Sequence, residues 1–378
     1  DSQIILVTHL SAERFSRLAL MTKIWKGPIS AAVYVTSKMQ RDSVMYNYCA
    51  NDLDLSVDLH IVMKGHQYKP NDHEYPHNTL RNVAVDLSNE TASLLFLVDV
   101  DFIPNEDIYE RLLSSRYTSK LMELKQQKKY LAIPSFEFTP DIHDPYAKTF
   151  GERGEILSLV EDFYNKMVPK TKSSLLELLA THVLEPCHLY YPRGSGPQLY
   201  DKYVLANSSY PAAYIRGFEP YVIIAKGFPR YDDRFISGRD KSSFFCELAA
   251  ANYKAEVDSE NALYHLPHDK EVKSGFERTK ELFAEFVKEM KAKYNNDNCQ
   301  NYGGVGREDE FVVRHNNKKR RYTLYELDVL ELSFHYYREW KKAYRKIHGL
   351  KIKHKKITSL KFEYRKTTRP VYQDSFVS

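Results

Sequence analysis

The sequence predicts an α/β fold, a mostly parallel twisted sheet flanked by helices, followed by a basic C-terminal extension. Three observations lead there. Apolar, β-rich runs alternate with runs of helical period from the N-terminus onward, the pattern of a doubly wound sheet. The continuous apolar run Leu94-Leu95-Phe96-Leu97-Val98 ends in two carboxylates, Asp99 and Asp101. Such a run suits a strand buried on both faces, and in open α/β sheets ligands sit beyond the carboxyl ends of the strands. From Arg314 to Arg369 the chain carries 18 Lys plus Arg against 5 Asp plus Glu, so the overall charge of +5 belongs to this segment alone.

In order, Ile4 to Val7 reads as a first strand, and Ser11 as the N-cap of a helix with Phe15, Leu18, Met21 and Trp25 on its apolar face. Gly27-Pro28 ends that helix. Ile29 to Thr36 is a second strand, Lys38 to Ala50 a helix and Val57 to Met63 a third strand. A polar loop leads to a helix near Asn78 and then to the Asp99 strand. Asn105 to Tyr117 and Arg153 to Met167 read as helices, with a buried strand at Tyr130 to Ile133 between them. Pro186 to Tyr214, rich in Pro, Gly, Ser and Tyr, reads as a long loop region. A strand at Tyr221 to Ala225, a helix at Phe244 to Tyr253, a short strand at Ala262 to Leu266 and an amphipathic helix at Ser274 to Tyr294 follow. In the basic segment, Thr323-x-x-Glu326 has capping-box spacing for a helix reaching about His348, and Lys351 to Lys366 reads as an edge strand.

At 378 residues, 43% hydrophobic and 13% aromatic, the chain is long and apolar enough for a large core. Its 29 tyrosines suit clefts where a ring packs against a sugar. No apolar run approaches the roughly 18 to 20 residues of a membrane span. The chain opens at Asp1 and enters apolar sequence at Ile4, and an anchor or signal segment is expected to precede it. Cys49, Cys187, Cys246 and Cys299 form no metal-type cluster and leave their pairing open. Two glycosylation sequons, Asn89-Glu90-Thr91 and Asn207-Ser208-Ser209, permit a secretory setting.

If extended backbone continues through the motif, Asp99 and Asp101 point to the same side. Two such carboxylates repel each other, and a hard divalent cation, Mn²⁺ or Mg²⁺, shared with a diphosphate relieves that repulsion. Taken alone, such a pair is more often a strand end with exposed acids, and the buried-strand context brings the two readings level. Phosphatases with an aspartate nucleophile also use it, but on the first strand of the chain.

Several stretches together resemble glycosyltransferase family 49, which includes LARGE-type glucuronosyltransferase domains and a β-1,4-glucuronyltransferase. They are Leu10-Ser11, Trp25-x-Gly27-Pro28-Ile29-Ser30, Leu80-Arg81-Asn82-Val83-Ala84 and Asp99-Val100-Asp101-Phe102. The series continues with Pro134-Ser135-Phe136-Glu137, Phe218-Glu219-Pro220-Tyr221-Val222, Tyr231-Asp232-x-Arg234-Phe235, Cys246-Glu247-Leu248 and Leu263-Tyr264-His265. The resemblance implies a GT-A catalytic domain over residues 1–295, then a linker over 296–322 and a basic extension over 323–378. It implies an inverting transferase that moves glucuronic acid or N-acetylglucosamine from a UDP-sugar donor to a glycan or glycoprotein acceptor, in the Golgi or ER lumen.

The resemblance further implies an Mn²⁺ (or Mg²⁺) site formed by Asp99, Asp101 and His265, with His268 the competing imidazole and Lys270 reaching the diphosphate. Donor contacts are expected from Thr8, His9 and Leu10 at the end of the first strand, from Arg81 and Asn82 on their helix, and from Asp99, Val100, His268 and Lys270. The catalytic base is expected in the Gly-containing loop, at Asp240, with Glu219 and Glu247 as alternatives. Here the chain departs from the family pattern, which has Asn at 240 and an aromatic residue where this chain has Arg239. Gly194-Ser195-Gly196-Pro197 reads first as a solvent turn, with a flexible loop that closes over the donor or meets the acceptor as the alternative. The basic extension is expected to pack on the catalytic domain, and no nucleic-acid partner is expected. A glycan-binding protein without turnover is the alternative to an enzyme.

Overall fold

The computed structural model describes residues 4–51, 53, 56–64, 75–188, 192–236, 238–268, 275–300, 310–315, 318–323, 337–349 and 361–363. The chain runs through β1 (Ile4–Ser11), α1 (Phe15–Trp25), β2 (Ile29–Val35), α2 (Lys38–Ala50), β3 (Val57–Met63), α3 (His77–Asp86) and β4 (Leu94–Leu97). Next come β5 (Phe102–Pro104), α4 (Ile108–Leu113), α5 (Ser115–Gln126), β6 (Lys129–Ile133), β7 (Ser135–Phe138), α6 (Pro140–Arg153), α7 (Leu157–Met167), α8 (Lys172–Ala180) and β8 (Leu184–Pro186). They are followed by α9 (Pro192–Ser195), α10 (Tyr200–Leu205), β9 (Tyr210–Ala212), β10 (Tyr221–Ala225), α11 (Asp240–Ala250), β11 (Lys254–Val257), β12 (Leu263–His265) and α12 (Gly275–Tyr294). Beyond a 3-10 turn at Asn298–Gln300 lie β13 (Glu310–His315), β14 (Lys318–Thr323), α13 (residues 337–348) and β15 (Lys361–Glu363).

An eight-stranded sheet in the order β3-β2-β1-β4-β10-β6-β11-β9 forms the centre. The run β3-β2-β1-β4 is parallel, but β10 lies antiparallel to both β4 and β6. The sheet is therefore mixed, and only its N-terminal half follows the predicted parallel pattern. β1 and β4 are buried along both faces, which explains why they read as continuous apolar runs rather than alternating ones. A second sheet, β5-β12-β7-β8, adjoins the first. The chain passes from the first sheet to the second three times, from β4 to β5 through residues 98–101, from β6 to β7 through Pro134 and from β11 to β12 through residues 258–262. The Asp99–Asp101 motif therefore lies where the two sheets meet.

Trp25 ends α1 fully buried, with Phe96 and Tyr109 as ring neighbours at 5.6 and 4.8 Å. Lys26 follows in the left-handed conformation, and a Cβ at Gly27 would meet the Tyr109 ring at 2.6 Å, so only glycine fits there. Ser11 caps a 3-10 turn at Ala12–Arg14 rather than α1 itself. The helix predicted over residues 153–167 is broken at Gly154, whose φ of 71° separates α6 from α7.

The stretch predicted as a long loop holds α9, α10 and β9. Its tyrosines fold it down: the Tyr210 hydroxyl donates to the Gln198 carbonyl at 2.7 Å and the Tyr200 hydroxyl to the Ser135 carbonyl at 3.0 Å. Ser195, Gly196 and Pro197 are buried within it, a packed turn rather than an open one.

In the C-terminal segment, α13 covers the second half of the predicted helix, and residues 324–336 lie outside the described residues. Tyr337 is 2% exposed in the main core, and Arg345 Nη1 donates to the Ala180 carbonyl at 2.8 Å, so α13 packs against the domain. β15 is an edge strand of a three-stranded sheet, β14-β13-β15. A disulfide, Cys246–Cys299, ties the 3-10 turn to α11, while Cys49 and Cys187 are free thiols. Among the described residues no helix is long and apolar enough to cross a membrane.

Candidate active site

The parallel strands β1 and β4 end side by side, and Val98 N–H still donates to the Val7 carbonyl at 3.1 Å. The backbone then turns: Phe102 N–H donates back to the Asp99 carbonyl at 2.9 Å. Extended backbone does not continue through the motif, and the expected common direction of its two aspartates gives way to two separate sets of partners.

Asp99 faces cations and hydroxyls. Arg81 Nη2 donates to Oδ1 at 3.0 Å, while the Tyr221 hydroxyl and Lys241 Nζ donate to Oδ2 at 3.0 and 3.2 Å. His9 Nε2 stands 3.2 Å from Oδ1, an electrostatic contact rather than an aligned hydrogen bond, and its Nδ1 meets the Tyr75 hydroxyl at 2.8 Å. Burial opposes ionisation, yet Lys241, Arg81 and His9 hold the Asp99 carboxyl well below the ordinary carboxylate range. Thr8, His9, Arg81, Asp99, Tyr221 and Lys241 all line one small pocket here. The Thr8 hydroxyl is buried in it without a hydrogen-bond partner among the described residues.

Asp101 faces the second sheet. β12 pairs with β5 so that His265 lies opposite Phe102, and their rings stack at 4.4 Å. Leu266 N–H donates to the Asp101 carbonyl at 2.8 Å, which brings the segment after β12 across the aspartate. Buried Arg17 secures the join. Its Nη1 donates to Asp101 Oδ1 at 2.8 Å and its Nη2 to the Pro267 carbonyl at 2.8 Å, while Glu155 takes Nε and Nη2 at 2.7 Å each. Arg14 pairs with the other Asp101 oxygen.

The result is a three-donor cluster. One ligand atom each from Asp101, His265 and His268 lie within 4.8 Å of one another, and the two Nε2 atoms stand 3.1 Å apart. Burial opposes ionisation of Asp101, but Arg17 and then Arg14 hold it charged. Burial, then His268, drives His265 well below its ordinary range, leaving a neutral imidazole. An anionic oxygen beside two imidazole nitrogens is a donor set that fits a divalent cation such as Mn²⁺. Glu155 neutralises Arg17, so the positive charge opposite Oδ2 comes from Arg14, whose side chain is 22% exposed.

Across residues 37–295 the chain matches the family described as glycosyl-transferase for dystroglycan. The chain belongs to this glycosyltransferase family. It is 32% identical over 271 residues to the xylosyl- and glucuronyltransferase LARGE2s of Gallus gallus, covering 71% of this chain and 32% of that protein. It is 29% identical over 308 residues to its Danio rerio counterpart and 28% identical over 307 residues to xylosyl- and glucuronyltransferase LARGE1 of Homo sapiens. Each of those two matches covers 80% of this chain and 36% of the relative. The chain thus spans about a third of the length of the relatives it matches.

The other predicted residues of this glycosyltransferase divide sharply. Asp240 opens α11, and its Oδ2 accepts from Arg81 Nη1 at 2.6 Å, so Arg81 bridges it to Asp99. Burial opposes ionisation of Asp240, but Arg81, His77 and Lys241 hold it well below the carboxylate range. Glu219 accepts from the Ser242 hydroxyl, one residue from Lys241. Glu247 lies elsewhere, bonded to Lys293 Nζ at 2.8 Å and the Tyr294 hydroxyl at 2.9 Å, where it joins α11 to α12. Asn82 clamps the Tyr231 backbone on both sides, at 2.8 and 3.0 Å. The Leu10 and Val100 side chains are in the main core. His268 joins the metal-type cluster, and Lys270 lies outside the described residues. Arg14, Arg17, Tyr221 and Lys241 were missed as site residues. The signals present were that Tyr221 falls in the stretch Phe218–Val222 that resembles the family, that Arg14 and Arg17 are one helical turn apart and that Lys241 follows Asp240.

Proposed function

We propose that the chain is an inverting, divalent-metal-dependent glycosyltransferase of GT-A fold. It moves glucuronic acid or N-acetylglucosamine from a UDP-sugar to a hydroxyl of a glycan or glycoprotein acceptor. The observation that carries this reading is the Asp101–His265–His268 cluster beside the Asp99–Arg81–Lys241 pocket, at the carboxyl ends of adjacent parallel strands. Family membership supports the chemistry, and similarity to xylosyl- and glucuronyltransferases supports a glucuronic acid donor.

Asp101, His265 and His268 would hold Mn²⁺ or Mg²⁺, which supplies Lewis-acid stabilisation of the charge that builds on the leaving diphosphate. Asp99 is fixed by Arg81, Lys241 and Tyr221 and presents an oriented carboxylate to hydroxyls of the donor. Thr8 and His9, buried at the end of β1, contact its nucleoside. Asp240 is the base toward the acceptor hydroxyl. A carboxylate held this far below neutrality takes up a proton poorly, so Asp240 acts once Arg81 turns toward the anionic donor. The Cys246–Cys299 disulfide supports an oxidising compartment, and we place the enzyme in the Golgi or ER lumen.

Incubating the chain with a panel of UDP-sugars tests this. UDP should be released from UDP-glucuronic acid or UDP-N-acetylglucosamine only with Mn²⁺ or Mg²⁺ present, and faster with an acceptor glycan. Binding of glycans with no release of UDP from any donor would leave a non-catalytic glycan-binding protein instead.

A further inference from the structure

The three clustered donors come from two chain segments, and a single guanidinium touches both. Arg17 Nη1 donates to Asp101 Oδ1 at 2.8 Å, and Nη2 donates at 2.8 Å to the carbonyl of Pro267, which lies between His265 and His268. Nη1 also stands 3.5 Å from the neighbouring Leu266 carbonyl. Leu266 N–H in turn donates to the Asp101 carbonyl at 2.8 Å, so guanidinium and backbone close the same gap. The Arg17 side chain is 0% exposed and supports the donors from within the fold.

Glu155 holds that guanidinium from the far side. Its Oε1 accepts from Arg17 Nε at 2.7 Å and from the Ser16 hydroxyl at 3.0 Å, and its Oε2 accepts from Arg17 Nη2 at 2.7 Å. Such a two-pronged pair fixes direction as well as charge. Glu155 reaches α1 because the chain breaks between α6 and α7 at Gly154, in a left-handed conformation that glycine takes readily. Without its carboxylate the buried guanidinium would turn its whole charge on Asp101 and oppose a divalent cation there. The helices α1 and α7 are clipped a second time nearer the surface, where Lys23 pairs with Glu161.

We propose that Arg17 and Glu155 are positioning residues of the metal site, which set the spacing of Asp101, His265 and His268 before a cation binds. This rests on the metal-dependent reading and deepens it by naming what fixes the donor geometry. Both residues act through the donors rather than on a substrate. Side chains behind metal ligands orient them, and losing one typically weakens metal affinity by about tenfold or more.

Calorimetric titration of the full chain with Mn²⁺ tests this, with urea unfolding of each variant alongside. Glu155→Gln and Arg17→Lys should each weaken Mn²⁺ binding by about tenfold or more. Arg17→Lys keeps a positive charge beside Glu155 and should stay folded, but one ammonium cannot hold Asp101, Glu155 and Pro267 in a planar fork. It keeps the test decisive should Glu155→Gln not fold. Glu161→Gln removes the outer pair between the same two helices and should leave Mn²⁺ affinity unchanged. Unchanged Mn²⁺ binding by folded Arg17→Lys or Glu155→Gln, however far the unfolding midpoint falls, overturns the proposal and leaves the pair a structural role alone. An equal loss in Glu161→Gln also overturns it, because general packing of α1 on α7 would then suffice. A wild type that takes up no Mn²⁺ overturns the metal-dependent reading and this proposal together, whereas unchanged variants overturn the proposal alone.

Discussion

Arg81 Nη2 donates to Asp99 Oδ1 at 3.0 Å, and the same guanidinium reaches Asp240 Oδ2 at 2.6 Å with its other terminal nitrogen. One buried cation therefore sets the charge and direction of two carboxylates 141 positions apart in the chain. Removing one partner from a buried ionic group typically costs about 3–5 kcal/mol, because the stranded charge stays behind. Arg81→Ala should lower stability by about that amount in urea unfolding and abolish transfer. Arg81→Lys, which keeps the charge but loses the two-pronged geometry, should recover stability far more than activity.

The two aspartates of the motif should separate by function. Asp101→Asn and His268→Ala remove members of the three-donor cluster, and each should weaken Mn²⁺ binding by at least about tenfold in calorimetry. Asp99→Asn should leave Mn²⁺ affinity closer to that of the wild type and act on donor binding. Equal loss of Mn²⁺ affinity in all three variants would contradict this division.

His77 predicts a pH dependence. Burial lowers its pKa from 6.5 to about 3. The unfolded chain takes up this proton as pH falls below about 6.5, whereas the folded chain resists until about 3, so stability is full above 6.5 and lost progressively below it. At pH 5 the loss from this group is about 2 kcal/mol. Comparing urea midpoints at pH 7 and pH 5 should show a shallower decline for His77→Asn than for the wild type.

The Cys246–Cys299 bond closes a loop with a sequence separation of 53. Loop-closure entropy for that length corresponds to about 4 kcal/mol. Reductant or Cys299→Ser should lower the unfolding midpoint accordingly, with hydrogen exchange rising first at the end of α12 and the 3-10 turn at Asn298–Gln300.

The N-terminal half of the fold was readable because its signals are local. Trp25 and Gly27 punctuate α1, Ser37 caps α2 by accepting from Gln40 N–H, β4 is an unbroken apolar run, and β1 and β2 open on mainly apolar ones. The reading failed where tertiary contacts decide. Pro145 lies inside α6, which therefore carried no helical signal, and β8, β9 and β11 are only three or four residues long. The turn at residues 98–101 is imposed by the passage between two sheets, which no local pattern announces. In the site, Asp101 and His265 were recoverable from motif residues. Arg17 and Lys241 were not, since a charge partner contributed from 84 or 142 positions away leaves no mark on its neighbours.

The place where a cation binds decides between these roles most directly. Crystals of the chain grown with Mn²⁺ and UDP, with data collected at the manganese absorption edge, test it directly. A single strong anomalous peak in contact with Asp101, His265 and His268 and with a diphosphate oxygen is the predicted result. A peak at Asp99 without the two histidines, or UDP bound with no peak at Asp101, would contradict it.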